Sequence, residues 1–319
     1  MLKGLALTPP VVGRISIGKV VEKNGKRLPE KDDEFTITSQ VQNREGWVLH
    51  PMDVALRRAA TGSSAAGTTT TESPSSSGKL RQIPIRLLFN DPDLNLRANY
   101  SLFDRDTGRQ LCVGNGETCK RSTVSGVQTL ACPSPAGCEM AAGGRCKPYG
   151  RLHVRLGDDD ELGTFVFRTT GFNSIRTLAT RLSYFHAVSG GALATLPLEL
   201  RLRGKSTTQS HRAPIYYVDL TVRSGSTMAQ ALNEARAVAA ERQAIGFDQA
   251  ALEATASAGF ALGAFEETED DGVSVVEEFY PEGDDQEPAA VERLDRPTAR
   301  RSLADRLEER TRQGAHASA

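Results

Sequence analysis

The chain has 319 residues, of which 39% are hydrophobic and 25% charged, an ordinary soluble composition with room for one large or two smaller globular units. No run is apolar for long enough to span a membrane. Residues 1–21 are broken by Pro9, Pro10, Gly13, Arg14 and Lys19, so neither a signal peptide nor an anchor is expected and a cytoplasmic location is. The net charge of −1 hides an asymmetry: residues 266–319 carry 16 Asp and Glu against 7 Arg, which leaves the body at about +8. A basic body with an acidic tail suggests an anionic partner for which the tail competes, although a solvated surface and a disordered tail account for charge alone equally well.

Ile15, Ile17 and Val20, then Phe35, Ile37 and Val41, alternate with polar residues around Asn24-Gly25, which reads as an antiparallel hairpin. Trp47 is the expected core anchor of the next segment, and a short helix is expected over Met52–Arg58. Residues 61–79 are almost wholly Ser, Thr, Ala and Gly and are expected to form a flexible loop inserted within one domain. Strands are expected over Ile83–Phe89 and Leu94–Leu102, with turns at Asn90–Asp93 and Asp104–Gly108, and Gln110–Val113 then enters the most informative stretch of the chain.

All five cysteines fall there: Cys112, Cys119, Cys132, Cys138 and Cys146. The residues between them carry turn chemistry and no apolar period, so residues 104–150 cannot bury a core and need something else to pin them. Four thiolates on one Zn2+ would contribute on the order of ~10 kcal/mol to that end. Free or redox thiols and an iron-sulfur cluster are the alternatives, and disulfides are disfavoured in a reducing compartment. Cys132, Cys138 and Cys146 are the core of the expected set, with Cys112 ahead of Cys119 as the fourth ligand.

Beyond the loop, Leu152–Leu156 and Thr164–Thr170 form a second hairpin, with Asp158–Asp160 as a solvated turn. Ile175, Leu178, Leu182 and Phe185 fall on one face of a helix that Asn173 or Ser174 caps and Gly190-Gly191 ends. Leu196–Arg203 and Tyr216–Arg223 alternate as a strand pair with a leucine face and an arginine face, and helices are expected from Thr227 to Ala244 and from Asp248 to Ala258. Gly204-Lys205-Ser206 is not a phosphate-binding loop, because position 199 is Glu where that motif needs Gly. The five histidines form no clustered set that would leave zinc an open catalytic position; His211 is the one left with a possible contact role.

With these residues in hand, the body over about residues 1–265 resembles a family of phages and integrative elements whose members are called recombination directionality factor-like, or hydrolase or metal-binding protein. The likeness lies in CVGNG, CPSPAGCEMAAGGRCKPYGRL, TFVFRTTGFNSIRTL and GKSTTQSHRAPIYYVDL. It implies metal-binding cysteines at Cys112, Cys132, Cys138 and Cys146, without a clear place for Cys119. It also implies a partner, a serine integrase that the factor switches from integration to excision.

The expectation is therefore an α+β protein. An antiparallel sheet with a packed helix and an inserted zinc loop forms a body over 1–225, followed by a helical extension over 226–265 and a disordered acidic tail over 266–319. Its expected work is that of a non-enzymatic recombination accessory factor. A nucleic-acid-binding module is the alternative and a metal-dependent hydrolase a more distant one. Arg201, Arg203, Lys205, His211, Arg212 and Arg223 are the expected partner-binding residues, forming one surface with the cysteine loop.

Overall fold

The long strand over Cys146–Leu156 is the axis of the molecule, because it belongs to two sheet segments at once. The structure is a computed structural model that describes residues 10–23, 26–43, 46–62, 78–158, 163–206, 214–262, 276, 279 and 280, all within one unit, Met1–Glu282. In chain order the strands are β1 (Val11–Lys23), β2 (Lys26–Asn43), β3 (Gly46–Leu49), β4 (Gln82–Arg86), β5 (Leu96–Phe103), β6 (Gln110–Gly114), β7 (Thr118–Thr123), β8 (Gly126–Ala131), β9 (Cys146–Leu156), β10 (Thr164–Thr169), β11 (Leu198–Ser206) and β12 (Pro214–Val222). The helices are α1 (Pro51–Gly62), α2 (Pro92–Asn95), α3 (Ser134–Gly137), α4 (Phe172–Ser189), α5 (Met228–Ala244) and α6 (Gln249–Leu262), with short 3-10 turns at Glu139–Gly144 and Leu193–Thr195.

The main sheet runs β3-β2-β1-β10-β9-β5-β6-β7-β8, and β4, β11 and β12 branch from the far end of β9. Pairing is antiparallel except between β1 and β10. The fold is thus α+β, as expected, with a mixed and mostly antiparallel sheet. In the first hairpin Lys23 pairs Lys26, and the expected turn residues Asn24 and Gly25 lie outside the described residues.

One face of the sheet makes the core. Phe35, Ile37, Ile83, Ile85, Leu152, Val154, Leu198, Leu200, Val218 and Leu220 are each fully buried there, under Leu178, Leu182 and Phe185 of α4 and Ala231 and Ala235 of α5. Helix α4 starts after Gly171 with no side-chain cap, and it ends on Gly190, whose left-handed φ of 66° glycine adopts without strain. Asn173 and Ser174, expected as caps, lie inside it. They reach sideways instead, Asn173 to Lys205 and Ser174 to the backbone N–H of Val218 on the outer strand β12. Thr227 caps α5 with a reciprocal Thr-Gln box, as its sequence anticipates.

Three elements depart from expectation. Trp47 is half-buried on the short outer strand β3, with the Arg14 guanidinium 3.9 Å over its ring, and is not a core anchor. Strand β4 stops at Arg86, because the buried Asn95 amide takes over the backbone of the next turn: it accepts from the N–H groups of Leu88 and Phe89 and donates to the carbonyls of Phe89 and Asp91. The cysteine stretch is not a loop. It is an antiparallel meander, β6-β7-β8, continuing the sheet outward.

The flexible excursion expected at 61–79 lies outside the described residues between 63 and 77, and so does the acidic tail, except at Val276, Phe279 and Tyr280. Those three contradict the picture of a tail without contacts. Phe279 is fully buried against Phe103 and Tyr149.

Candidate metal centre and arginine face

The meander brings the five thiols to one end of the molecule. Cys112 on β6 and Cys146 at the start of β9 stand opposite the same residue, Leu102, from the two sides of β5. Cys119 on β7 pairs Gly114, whose missing side chain makes room for sulfur: a Cβ there would lie 2.7 Å from Cys132 Sγ and 2.9 Å from Cys119 Cβ. Cys132 leaves β8 with its N–H on the Glu117 carbonyl, and Cys138 follows α3. Cys119 is buried and the other four are half-buried.

The cysteines feel one another strongly. Burial, then the charges of Cys112, Cys132, Cys138 and Cys119, push the Cys146 thiol up to about 12. Burial and the neighbouring Cys119 raise Cys112 against the opposing pull of Arg121. Arg121, from β7, reaches into the cluster, with a guanidinium nitrogen 4.0 Å from Sγ of both Cys119 and Cys138. Its own pKa is raised, chiefly by a hydrogen bond to Cys112.

As these side chains stand, no group of three or more His, Cys, Asp or Glu among the described residues is arranged to hold a metal ion. The donor set nevertheless suits a soft dication. Burial and the neighbouring cysteines raise the Cys112 and Cys146 thiols, a crowding that a cation relieves, and in this arrangement the Arg121 guanidinium stands among the sulfurs. All five cysteines approach one another, so Cys119 is as much a member of the cluster as Cys112.

The expected partner-binding residues lie elsewhere. Arg201 and Arg203 project from β11 on the side opposite Leu200 and Leu202, and Arg223 follows β12. Each has a carboxylate. Arg201 bonds Glu199, which is 3% exposed and also accepts from Thr221 and Ser224; Arg203 and Arg181 share Asp219; Arg223 and Arg86 share Asp158. The two guanidinium groups hold the Asp158 carboxyl below its usual range, Arg223 foremost. Arg201 and Arg223 line an open depression of about 560 Å³ with Arg181, Tyr184 and Met228. Lys205 is tied to Asn173 on α4, and His211 and Arg212 lie outside the described residues.

Cysteines and arginines do not form one surface. The thiols gather where β9 begins, at Cys146, and Arg223 pairs Asp158 just past its other end, so an extended strand of about 33 Å separates them. Sequence reasoning missed Arg121. It also missed the aromatic slot of Phe103, Tyr149 and Phe279, for which the isolated Phe279-Tyr280 pair in an acidic run is the available signal.

Compared with known proteins, residues 12–223 match the recombination directionality factor-like family, whose span takes in the whole sheet and every cysteine. The chain belongs to that family. No curated protein and no solved structure matches. The match ends at the last strand, so α5, α6 and the acidic segment lie outside what this directionality factor-like chain shares with the family. Among the described residues no helix is long and apolar enough to cross a membrane.

Proposed function

We propose that this chain is a non-enzymatic accessory factor of DNA recombination that holds one zinc ion through four of its five cysteines and sets the direction of a serine integrase by binding it. The observation that carries the metal half of the reading is the meander itself. Every residue of β8 is exposed, so burial does not hold these strands, and a cross-link at the thiol cluster would. Zinc would displace the Arg121 guanidinium from the sulfurs and stiffen the turn-rich segment between Cys132 and Cys146. The protein's contribution would then be to present a rigid, exposed meander to its partner, with no chemical step of its own.

The partner half rests on family membership and is tested in a reconstituted reaction. Arg203 and Lys205 are the right probes on the arginine face. Arg203 is 42% exposed, and its removal leaves Asp219 with Arg181. Truncating Arg201 would strip the buried Glu199 of its cation and confound binding with stability. Protein purified without chelator should contain one zinc per chain, and adding it to a cognate integrase should convert attachment-site products back to substrates. Arg203→Ala with Lys205→Ala should weaken that conversion with zinc content and melting temperature unchanged. Zinc-free protein that is fully active removes the metal reading; zinc-loaded protein that never alters the reaction removes the partner reading.

A further inference from the structure

The open depression between α4 and the end of the β11–β12 pair is walled by Arg181, Arg201 and Arg223, and none of its lining residues is acidic. The carboxylates that hold the first two arginines form no part of the lining: Glu199 is 3% exposed and Asp219 5%. Each buried anion fixes the inner edge of a guanidinium and leaves the outer edge to the depression. Asp219 takes only Nε of Arg181, at 3.0 Å, so both terminal nitrogens of this half-exposed side chain are without a partner among the described residues. Arg201 spends Nε and Nη2 on Glu199, and Nη2 also meets the Ser224 hydroxyl at 2.8 Å, which leaves its Nη1 unspent in the same way. Arg223 is committed to Asp158 through both terminal nitrogens and contributes charge to the wall. Guanidinium forks already held on one side lose little freedom on meeting a pair of phosphate oxygens.

The same depression offers a second chemistry. Phe185 and Met228 make part of its lining apolar, and Tyr184, one helical turn from Arg181 on α4, stands 49% exposed with its ring edge-on to Phe185 at 5.4 Å. An exposed aromatic ring beside unspent guanidinium groups matches a ligand that carries an anion and a flat apolar face together. The volume of about 560 Å³ lies in the range of small-ligand pockets. In a duplex the base faces cover one another, so a tyrosine ring can meet only a base outside the stack. We propose that this depression is a binding site for one unpaired nucleotide, its phosphate on Arg181 and Arg201 and its base against Tyr184. The site uses neither the thiols nor Arg203 and Lys205. The inference therefore stands apart from the zinc and integrase readings, and its test needs only the chain and a nucleotide.

The test titrates the full chain into a fluorescein-labelled oligothymidylate of about ten nucleotides at about 50 mM salt, read by anisotropy. Arg181→Ala, which leaves Asp219 with Arg203, and Tyr184→Ala, which removes an exposed ring, should each weaken binding by about fivefold or more with the melting temperature unchanged. Tyr184→Phe keeps the ring and should bind as the parent does. Arg181→Ala should also lower the slope of log affinity against log salt by about 0.7, the share of one single-strand phosphate. Unlabelled thymidine monophosphate that competes as well per nucleotide as the oligomer assigns the site to free nucleotides; competition by the unlabelled oligomer alone assigns it to an exposed strand. Binding by neither probe, or binding that Arg181→Ala or Tyr184→Ala leaves unchanged, overturns the proposal. Competition by inorganic phosphate as strong as by thymidine monophosphate leaves a bare anion site, and duplex binding equal to single-strand binding removes the unpaired base; either result overturns the nucleotide assignment.

Discussion

Two neighbouring parts of the same sheet are built on opposite principles. In β9–β12 alternate residues disappear into the core: Leu152, Val154, Leu198, Leu200, Val218 and Leu220 are buried, and α4 closes over them. In β6–β8 the hydrogen-bond ladder is as regular, yet only Gln110, Gly114 and Cys119 are buried. Backbone hydrogen bonds alone contribute little net stability, because water competes for the same groups. The first region holds itself together by burial, whereas the second lies on the sheet's outer edge, where the cysteines and Arg121 are the side chains that gather. The meander is therefore the part of this fold whose order is most open to chemical control.

The widest separation of the two regions should come from Cys138→Ser. If zinc supplies the cross-link, this change should release the metal, strip hydrogen-exchange protection from β6–β8, and leave the amides of β9–β12 protected. A meander that stays protected without metal would show that thiol packing around Arg121 is sufficient. Next in size is Leu200→Ala, which empties a fully buried site shared by the helices and the strand pair. It should cost about 2–5 kcal/mol of global stability in denaturant titration, and zinc content should stay at one per chain. Loss of zinc in this variant would mean that the two regions unfold as one.

How far the sequence revealed each region follows from the same contrast. Alternation announces a strand only when one face is buried, so the hairpins of β1–β2, β9–β10 and β11–β12 were legible, as were α4 from its apolar spacing and terminal Gly190 and α5 from its start at Thr227. Strands β7 and β8, running Thr118–Thr123 and Gly126–Ala131, are polar or exposed on both faces and left no period to read. The cysteines marked where the thiols gather, but no spacing rule could place Arg121 among the sulfurs, since that contact depends on the register of β6 against β7. The arginine face was legible as alternation and not as function. Its carboxylate partners, Glu199, Asp219 and Asp158, come from the same strand, the facing strand and a distant turn.

A finer test of the cluster leaves every thiol in place. Gly114→Ala would put a methyl group within 2.7 Å of Cys132 Sγ and 2.9 Å of Cys119 Cβ, distances that real side chains do not tolerate. The clash falls on the sulfurs, and the leucine core does not touch it. Zinc affinity, measured by chelator competition, should fall by about tenfold or more, with thermal unfolding of the core little changed. An unchanged affinity would place Cys119 and Cys132 outside the metal's ligand set, leaving too few thiols for a four-cysteine site.

The smallest effect belongs to the burial-built region and concerns pH. His50 joins β3 to α1; its Nδ1 accepts a hydrogen bond from the Met52 N–H at 3.2 Å, and its ring meets Phe165 edge-on with centroids 4.9 Å apart. Accepting that bond requires the neutral imidazole, and burial lowers the His50 pKa from 6.5. The unfolded chain therefore takes up a proton at a higher pH than the folded one. The stability that neutral His50 contributes is fully present above the unfolded value of 6.5 and is lost as pH falls below it. His50→Asn keeps an acceptor for Met52 and removes the proton site. Between about pH 7.5 and 5.5 its melting temperature should decline less than the parent's, by a degree or two at most, since the ring is half-buried. Parallel declines would show that the acid sensitivity of this region has another source and that His50 is held only by its packing on Phe165.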